Sequence, residues 1–79
     1  YPLVRAITRL GRGTDVDIRV EDPGASRNHC EIVLGSPAYL RDLDSTNGTF
    51  HNGEQITEVV LVEGSVVQIG ATSLVFRSG

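Results

Sequence analysis

A chain of 79 residues holds one compact domain around one core, is too short for two, and leaves little room for a deep active site. Its formal charge is −3, every basic residue is arginine, and only Tyr1, Tyr39, Phe50 and Phe76 are aromatic, so the basic stripe with interleaved aromatics of a nucleic-acid binder is missing and any anion needs a local pocket. The lone Cys30 has no internal disulfide partner and makes a poor metal set with His29 and His51, no apolar run approaches the ~20 residues of a membrane span, and no signal-peptide pattern is present: a reducing, cytoplasmic setting is expected, with no cofactor, no metal, no nucleic acid and no direct membrane contact.

Nine glycines and three prolines punctuate short runs of Val, Ile, Leu and Thr, the composition of an all-β domain with many tight turns. Leu3 to Leu10 reads as extended, and Gly11 to Asp15 breaks it, which puts Arg12 at a strand end. Asp17 to Val20 alternates as a short strand, Glu21-Asp22-Pro23-Gly24 stops it, and a loop follows from Ala25 to Asn28. In the next run Cys30, Ile32 and Leu34 share one face and are the expected core, while His29, Glu31 and Val33 share the other. Gly35-Ser36-Pro37 turns the chain into a strand from Tyr39 to Leu43, after which Asp44-Ser45-Thr46-Asn47-Gly48 forms an exposed polar loop. Thr49 to His51 leads into Asn52-Gly53, whose tolerance of positive φ predicts a type I′ hairpin. Glu54 to Leu61 has no clear pattern. Glu63-Gly64 turns into Val66 to Ile69, and Gly70-Ala71-Thr72 turns into Ser73 to Phe76 as a closing hairpin.

Short strands with turn chemistry between them predict an antiparallel β-sandwich with its loops gathered at the ends. Three polar loops then offer Arg12, Ser26, Arg27, Asn28, Ser45, Thr46 and Asn47. Guanidinium forks, hydroxyls and loop N–H groups are mostly donors, and their natural partner is an anion such as a phosphorylated side chain. Each arginine alone would read as a solvated surface residue paired with Asp15 or Asp44. Ser26, His29 and Asp44 supply the residue types of a hydrolytic triad, but no Gly-x-Ser-x-Gly elbow accompanies them. Gly11-Arg12-Gly13 begins like a dinucleotide loop, yet Val16 stands where the third glycine belongs. Cys30 reads as a small buried apolar residue.

Gly11-Arg12, then Ser26-Arg27-Asn28-His29, then Asn47-Gly48 within Asp44 to Thr49 resemble the forkhead-associated (FHA) domain signature in order and spacing. Asn52-Gly53, the stretch from Leu61-Val62-Glu63-Gly64 to Ile69-Gly70 and the strand Leu74 to Phe76 are similar to that family as well, so the resemblance covers nearly the whole chain. It implies a single FHA domain over residues 1–79, its short first strand suggesting a trimmed start, and the absence of lysine suggests a bacterial member. The resemblance further implies a phosphothreonine-peptide-binding module without enzymatic activity, recruiting a phosphothreonine-bearing protein such as a Ser/Thr kinase or its substrate. On the resemblance, Arg12, Ser26, Arg27 and Thr46 hold the phosphate and Asn47 bonds the peptide backbone. His29 braces the Ser26 loop, and Gly11 and Gly48 permit tight backbone geometry without touching ligand. Peptide preference is expected to lie around Gly24-Ala25, His51 and Gly70-Ala71-Thr72. The alternative is a module that docks a folded partner through a sheet face without phosphate.

Overall fold

Alternation along each short strand decides which side chains turn inward, and strand pairing then decides which of them meet. The computed structural model describes residues 1–3 and 5–77; Val4, inside the expected first extended run, lies outside the described residues. The described strands are β1 (Ile7–Gly11), β2 (Ile18–Arg19), β3 (Cys30–Val33), β4 (Ala38–Asp42), β5 (Thr49–His51), β6 (Glu54–Ile56), β7 (Glu58–Leu61), β8 (Val66–Ile69) and β9 (Thr72–Val75). One sheet has the order β2-β1-β3-β4-β7 and the other β6-β5-β8-β9. Among the described residues no helix is long and apolar enough to cross a membrane.

Leu10, Ile18, Cys30, Ile32, Ala38, Leu40 and Leu61 from the first sheet bury against Val67 and Ile69 from the second, with Val20, Ala25 and Phe76 closing the core. Ile69, Leu40 and Cys30 are wholly excluded from solvent. Burial pushes the Cys30 thiol up to about 12, so it stays protonated and serves as a core side chain. Leu34, expected beside Cys30 and Ile32, is only half-buried against the core, because β3 ends at Val33 and the chain turns away. His29 and Glu31, expected on the polar face, are both buried: His29 among the loops and Glu31 beneath the guanidinium-bearing side chains of Arg9 and Arg41.

Pairing is antiparallel throughout except between β1 and β2, which run parallel with Leu10 opposite Ile18 and Gly11 opposite Arg19. The purely antiparallel expectation fails there for a physical reason. Parallel neighbours ordinarily need a long crossover, but a strand of two residues needs only the Arg12 to Asp17 loop to bring the chain back. Asp17 fastens that return, its N–H donating to Arg9 O at 3.0 Å and its carboxylate accepting from Arg9 N at 2.9 Å. The Asn52-Gly53 hairpin is as expected, with φ of 49° and 89°. The ambiguous stretch from Glu54 to Leu61 resolves into β6 and β7, which belong to different sheets, the chain crossing between them at Thr57.

Asp22 joins the sheets at the loop end of the sandwich. Its carboxylate accepts from Gly24 N at 2.8 Å, from Ala71 N at 3.0 Å and from Thr72 Oγ1 at 2.7 Å. The Thr72 hydroxyl, followed by the backbone donors, holds the carboxyl below the usual carboxylate range. A carboxyl depressed in the folded state stabilises the fold above its unfolded pKa, about 3.9, and the contribution is lost as pH falls through the folded value. Asp22→Asn is therefore expected to lower the urea midpoint at neutral pH and to flatten part of the loss of stability on acidification. Equal acid sensitivity in the variant and the parent chain, measured by urea titration from neutral to acid pH, would count against this role.

Candidate functional site

Gly11 ends β1 against the backbone of the second loop. A Cβ there would lie 2.0 Å from Arg27 O, so only glycine lets the two chains approach this closely. The approach lets Arg12 N donate to Ser26 O at 2.8 Å and Gly13 N donate to Arg27 O at 3.1 Å. Arg19 Nε donates to Arg12 O at 3.3 Å and steadies the first loop from β2. The first two loops therefore form one backbone-paired unit with Arg12 and Arg27 on it.

His29 fixes this unit to the third loop. Its Nδ1 accepts from Ser26 N at 3.0 Å, which requires an unprotonated Nδ1, so Nε2 carries the proton and donates to Gly48 O at 2.8 Å. The ring is wholly buried. Its backbone N–H donates to Leu10 O at 2.9 Å and its carbonyl accepts from Leu43 N at 3.0 Å.

Asp42 at the end of β4 shapes the third loop. It accepts from Ser45 N at 3.2 Å, from Ser45 Oγ at 2.5 Å and from Thr49 Oγ1 at 2.6 Å. Burial opposes the charge, but hydrogen bonds from Ser45 and Thr49 outweigh it and hold the carboxyl below the usual range. Asp44 and Gly48 take positive φ, 55° and 89°, and these reversals bring Thr46 over the second loop. There Thr46 N donates to Ser26 Oγ at 3.0 Å, and the two hydroxyls stand 3.5 Å apart.

Arg12, Gly13, Thr14, Asp15, Ala25, Ser26, Arg27 and Thr46 line one cleft. Four of the five residues expected at a phosphate or peptide are thus brought together. Asn47 lies outside that lining and is exposed, with Nδ2 donating to Gly24 O at 3.1 Å. Gly11, His29 and Gly48 are buried behind the cleft. Thr14 was not singled out by the sequence; its place in the loop carrying Arg12 was the available signal. His51, expected near the peptide, is turned to Ser65 Oγ at 2.9 Å.

Arg12 and Arg27 are exposed, and neither makes an ion pair or a side-chain hydrogen bond among the described residues, so the reading in which Asp15 or Asp44 neutralises them fails. Acidic groups are spent on other arginines: Arg5 meets Asp17 at 3.7 Å, Arg9 meets Glu31 at 3.8 Å, Arg19 meets Glu21 at 3.3 Å, and Arg41 meets Glu31 at 3.2 Å and Glu58 at 2.9 Å. The cleft therefore presents two cationic forks beside three hydroxyls and loop N–H groups, with the Asp15 carboxylate in the same lining but not paired to either arginine. Ser26, His29 and Asp44 do not form a triad, because both ring nitrogens of His29 are taken by backbone groups. Among the described residues no group of three or more His, Cys, Asp or Glu could hold a metal ion. A separate apolar cleft of about 820 Å³, lined by Leu3, Leu34, Pro37 and Phe76 among others, offers no comparable donor set.

Gly11→Ala is expected to cost about 1–3 kcal/mol, the scale of forced overpacking, and to speed amide exchange at Arg12 and Gly13. Urea unfolding and residue-resolved hydrogen exchange measure both; unchanged exchange at these amides would show that the close approach does not hold the first loop.

Comparison with known proteins identifies the family. The FHA domain family profile matches residues 8–70. FhaA of Mycobacterium tuberculosis, an FHA domain-containing protein, is 40% identical over 78 residues, covering 98% of this chain and 15% of its own. The glycogen accumulation regulator GarA of the same species is 42% identical over 80 residues, covering all of this chain and 49% of its own, so the chain spans about half or less of these relatives. A structure described as a study of phosphothreonine-dependent FHA domain interactions superposes with a TM-score of 0.95 at 39% identity, covering all of this chain and 83% of that one. Mycobacterium tuberculosis EmbR in complex with a low-affinity phosphopeptide gives 0.93 at 37% identity, covering 98% of this chain and 21% of its own. The profile match and the relatives' identity over nearly the full chain establish that it belongs to the FHA domain family.

Proposed function

We propose that the domain is a phosphothreonine-peptide reader that recruits partners phosphorylated by a Ser/Thr protein kinase and acts as a cytoplasmic signalling adaptor. The observation that carries this reading is the pair of exposed guanidiniums of Arg12 and Arg27, without a carboxylate partner, in one cleft with Ser26 and Thr46. A solved relative supports it, since EmbR was determined in complex with a low-affinity phosphopeptide. In this reading Arg12 and Arg27 supply charge-assisted donors to the phosphate oxygens, and the Ser26 and Thr46 hydroxyls fill the remaining acceptor sites. Asn47 keeps its side-chain carbonyl for the peptide backbone while its amide holds Gly24 O. In this reading binding is reversible recognition, and His29, with both ring nitrogens bonded to backbone groups, is a brace and not a general base.

Charge-assisted hydrogen bonds contribute about 1.5–3 kcal/mol each, and a micromolar complex needs about 8 kcal/mol. Two such contacts therefore make up a large share of the binding energy, and loss of one guanidinium should nearly abolish affinity. Calorimetric titration with a degenerate phosphothreonine peptide library is expected to show binding that vanishes for unphosphorylated peptides and for Arg12→Ala. Heat of binding to none of the peptides would overturn the reading and leave phosphate-independent docking.

The pH dependence follows from the ligand. A phosphomonoester loses its second charge as pH falls through about 6, while arginine stays charged. Affinity is expected to be flat above that value and to fall below it. A titration curve that stays level into the acid range would exclude a dianionic phosphate as the bound group.

A further inference from the structure

The outer face of the five-stranded sheet carries two ordered rows. Register sets Ile7 opposite Val33, Val33 opposite Tyr39 and Tyr39 opposite Val60, a continuous apolar row across β1, β3, β4 and β7. Two residues along each strand, Arg9, Glu31, Arg41 and Glu58 form a second row of alternating charge. The outward face of an antiparallel sheet is ordinarily polar, yet Ile7 and Val60 are 47% and 48% exposed here. The Arg41 guanidinium also lies 5.8 Å from the centre of the Tyr39 ring, which joins the rows.

We propose that this face is an interface between two copies of the chain, which stack their five-stranded sheets about a two-fold axis running along the strands. The charge row identifies the occupant. Read from β1 to β7 it runs plus, minus, plus, minus, so its reversal is its own complement. The axis places β1 over β7 of the second copy and β3 over β4. Arg9 then meets Glu58 of the partner subunit, and Glu31 meets Arg41 of the partner subunit. In the apolar row Ile7 meets Val60 of the partner subunit, and Val33 meets Tyr39 of the partner subunit. Such self-complementarity is what an isologous contact requires. The charges are already paired within the sheet, so covering them strands none. Tyr and Arg, here Tyr39 and Arg41, are the residue types enriched at interfaces.

The apolar row lies at the strand ends away from the recognition loops: Ile7 begins β1 whereas Arg12 follows its end, and Val33 ends β3 whereas Ser26 precedes its start. Both clefts stay open in the pair, which would present two ligand sites on one particle and bind doubly marked partners with avidity. The inference stands apart from the nature of the ligand.

Sedimentation equilibrium of the chain over a concentration series tests it, with circular dichroism melts to confirm that each variant is folded. A reversible monomer–dimer equilibrium is expected. Val60→Glu should raise the dimer dissociation constant by about tenfold or more, because it sets an unpaired carboxylate against Ile7 of the partner subunit. Arg9→Glu alone and Glu58→Arg alone should each weaken the dimer by like-charge contact. An equimolar mixture of those two variants should restore it, because each reversal then faces the other. A chain that stays monomeric at every concentration, or a mixture no tighter than either variant alone, overturns the proposal.

Discussion

The imidazole of His29 is the constraint on which the recognition end depends. Two loops meet at one ring that water cannot reach, and every polar group of the residue has a partner: Leu10 O, Leu43 N, Ser26 N and Gly48 O. One ring nitrogen must accept and the other must donate, which only a neutral imidazole in one tautomer satisfies. Leaving a buried donor or acceptor unmet costs about 1–3 kcal/mol, so the two loop backbones are held to one arrangement. Ser26 and Gly48 take their places from that ring, and Thr46 takes its place from Ser26.

Prior ordering matters because the domain has little else to spend on affinity. A ligand held by loops that must first be fixed would give up much of its contact energy to that ordering. Here backbone pairing at Gly11, the histidine brace and the Asp42 turn fix the loops through the chain's own groups. Electrostatics follow the same division. The acidic chain repels anions globally, but Asp22 and Asp42 are occupied by backbone and hydroxyl donors, and Asp17, Glu21, Glu31 and Glu58 by other arginines. Arg12 and Arg27 are thereby left without an ion pair among the described residues, and two positive charges against the single Asp15 carboxylate keep the cleft cationic.

Local chemistry was legible and long-range pairing was not. Thr49 to His51, the Asn52-Gly53 turn and Val66 to Ile69 carry their own instructions in alternation and positive φ, and they fold as the sequence reads. Glu54 to Leu61 was opaque because its two halves serve different sheets, and nothing within eight residues says which partner each half will find. The burial of Glu31 shares that cause, since it depends on Arg41 brought alongside by β4. At the site, the motif spacing foretold that Arg12, Ser26, Arg27 and Thr46 would converge. It could not foretell that the two arginines would stay unpaired, because any of ten carboxylates could have reached them.

The sandwich also explains how the second sheet, which contributes no residue to the cleft lining, still bears on it. Asn47 holds Gly24 O, a Cβ on Gly24 would lie 2.9 Å from Gly70 Cα, and Asp22 grips Ala71 and Thr72. The β8–β9 turn is thus tied to the second recognition loop by hydrogen bonds and by direct backbone contact. The position of this turn is set by the same carboxylate that joins the sheets. The loops of the first sheet carry the two cations, and the hairpin of the second is fastened to the loop segment that Asn47 holds.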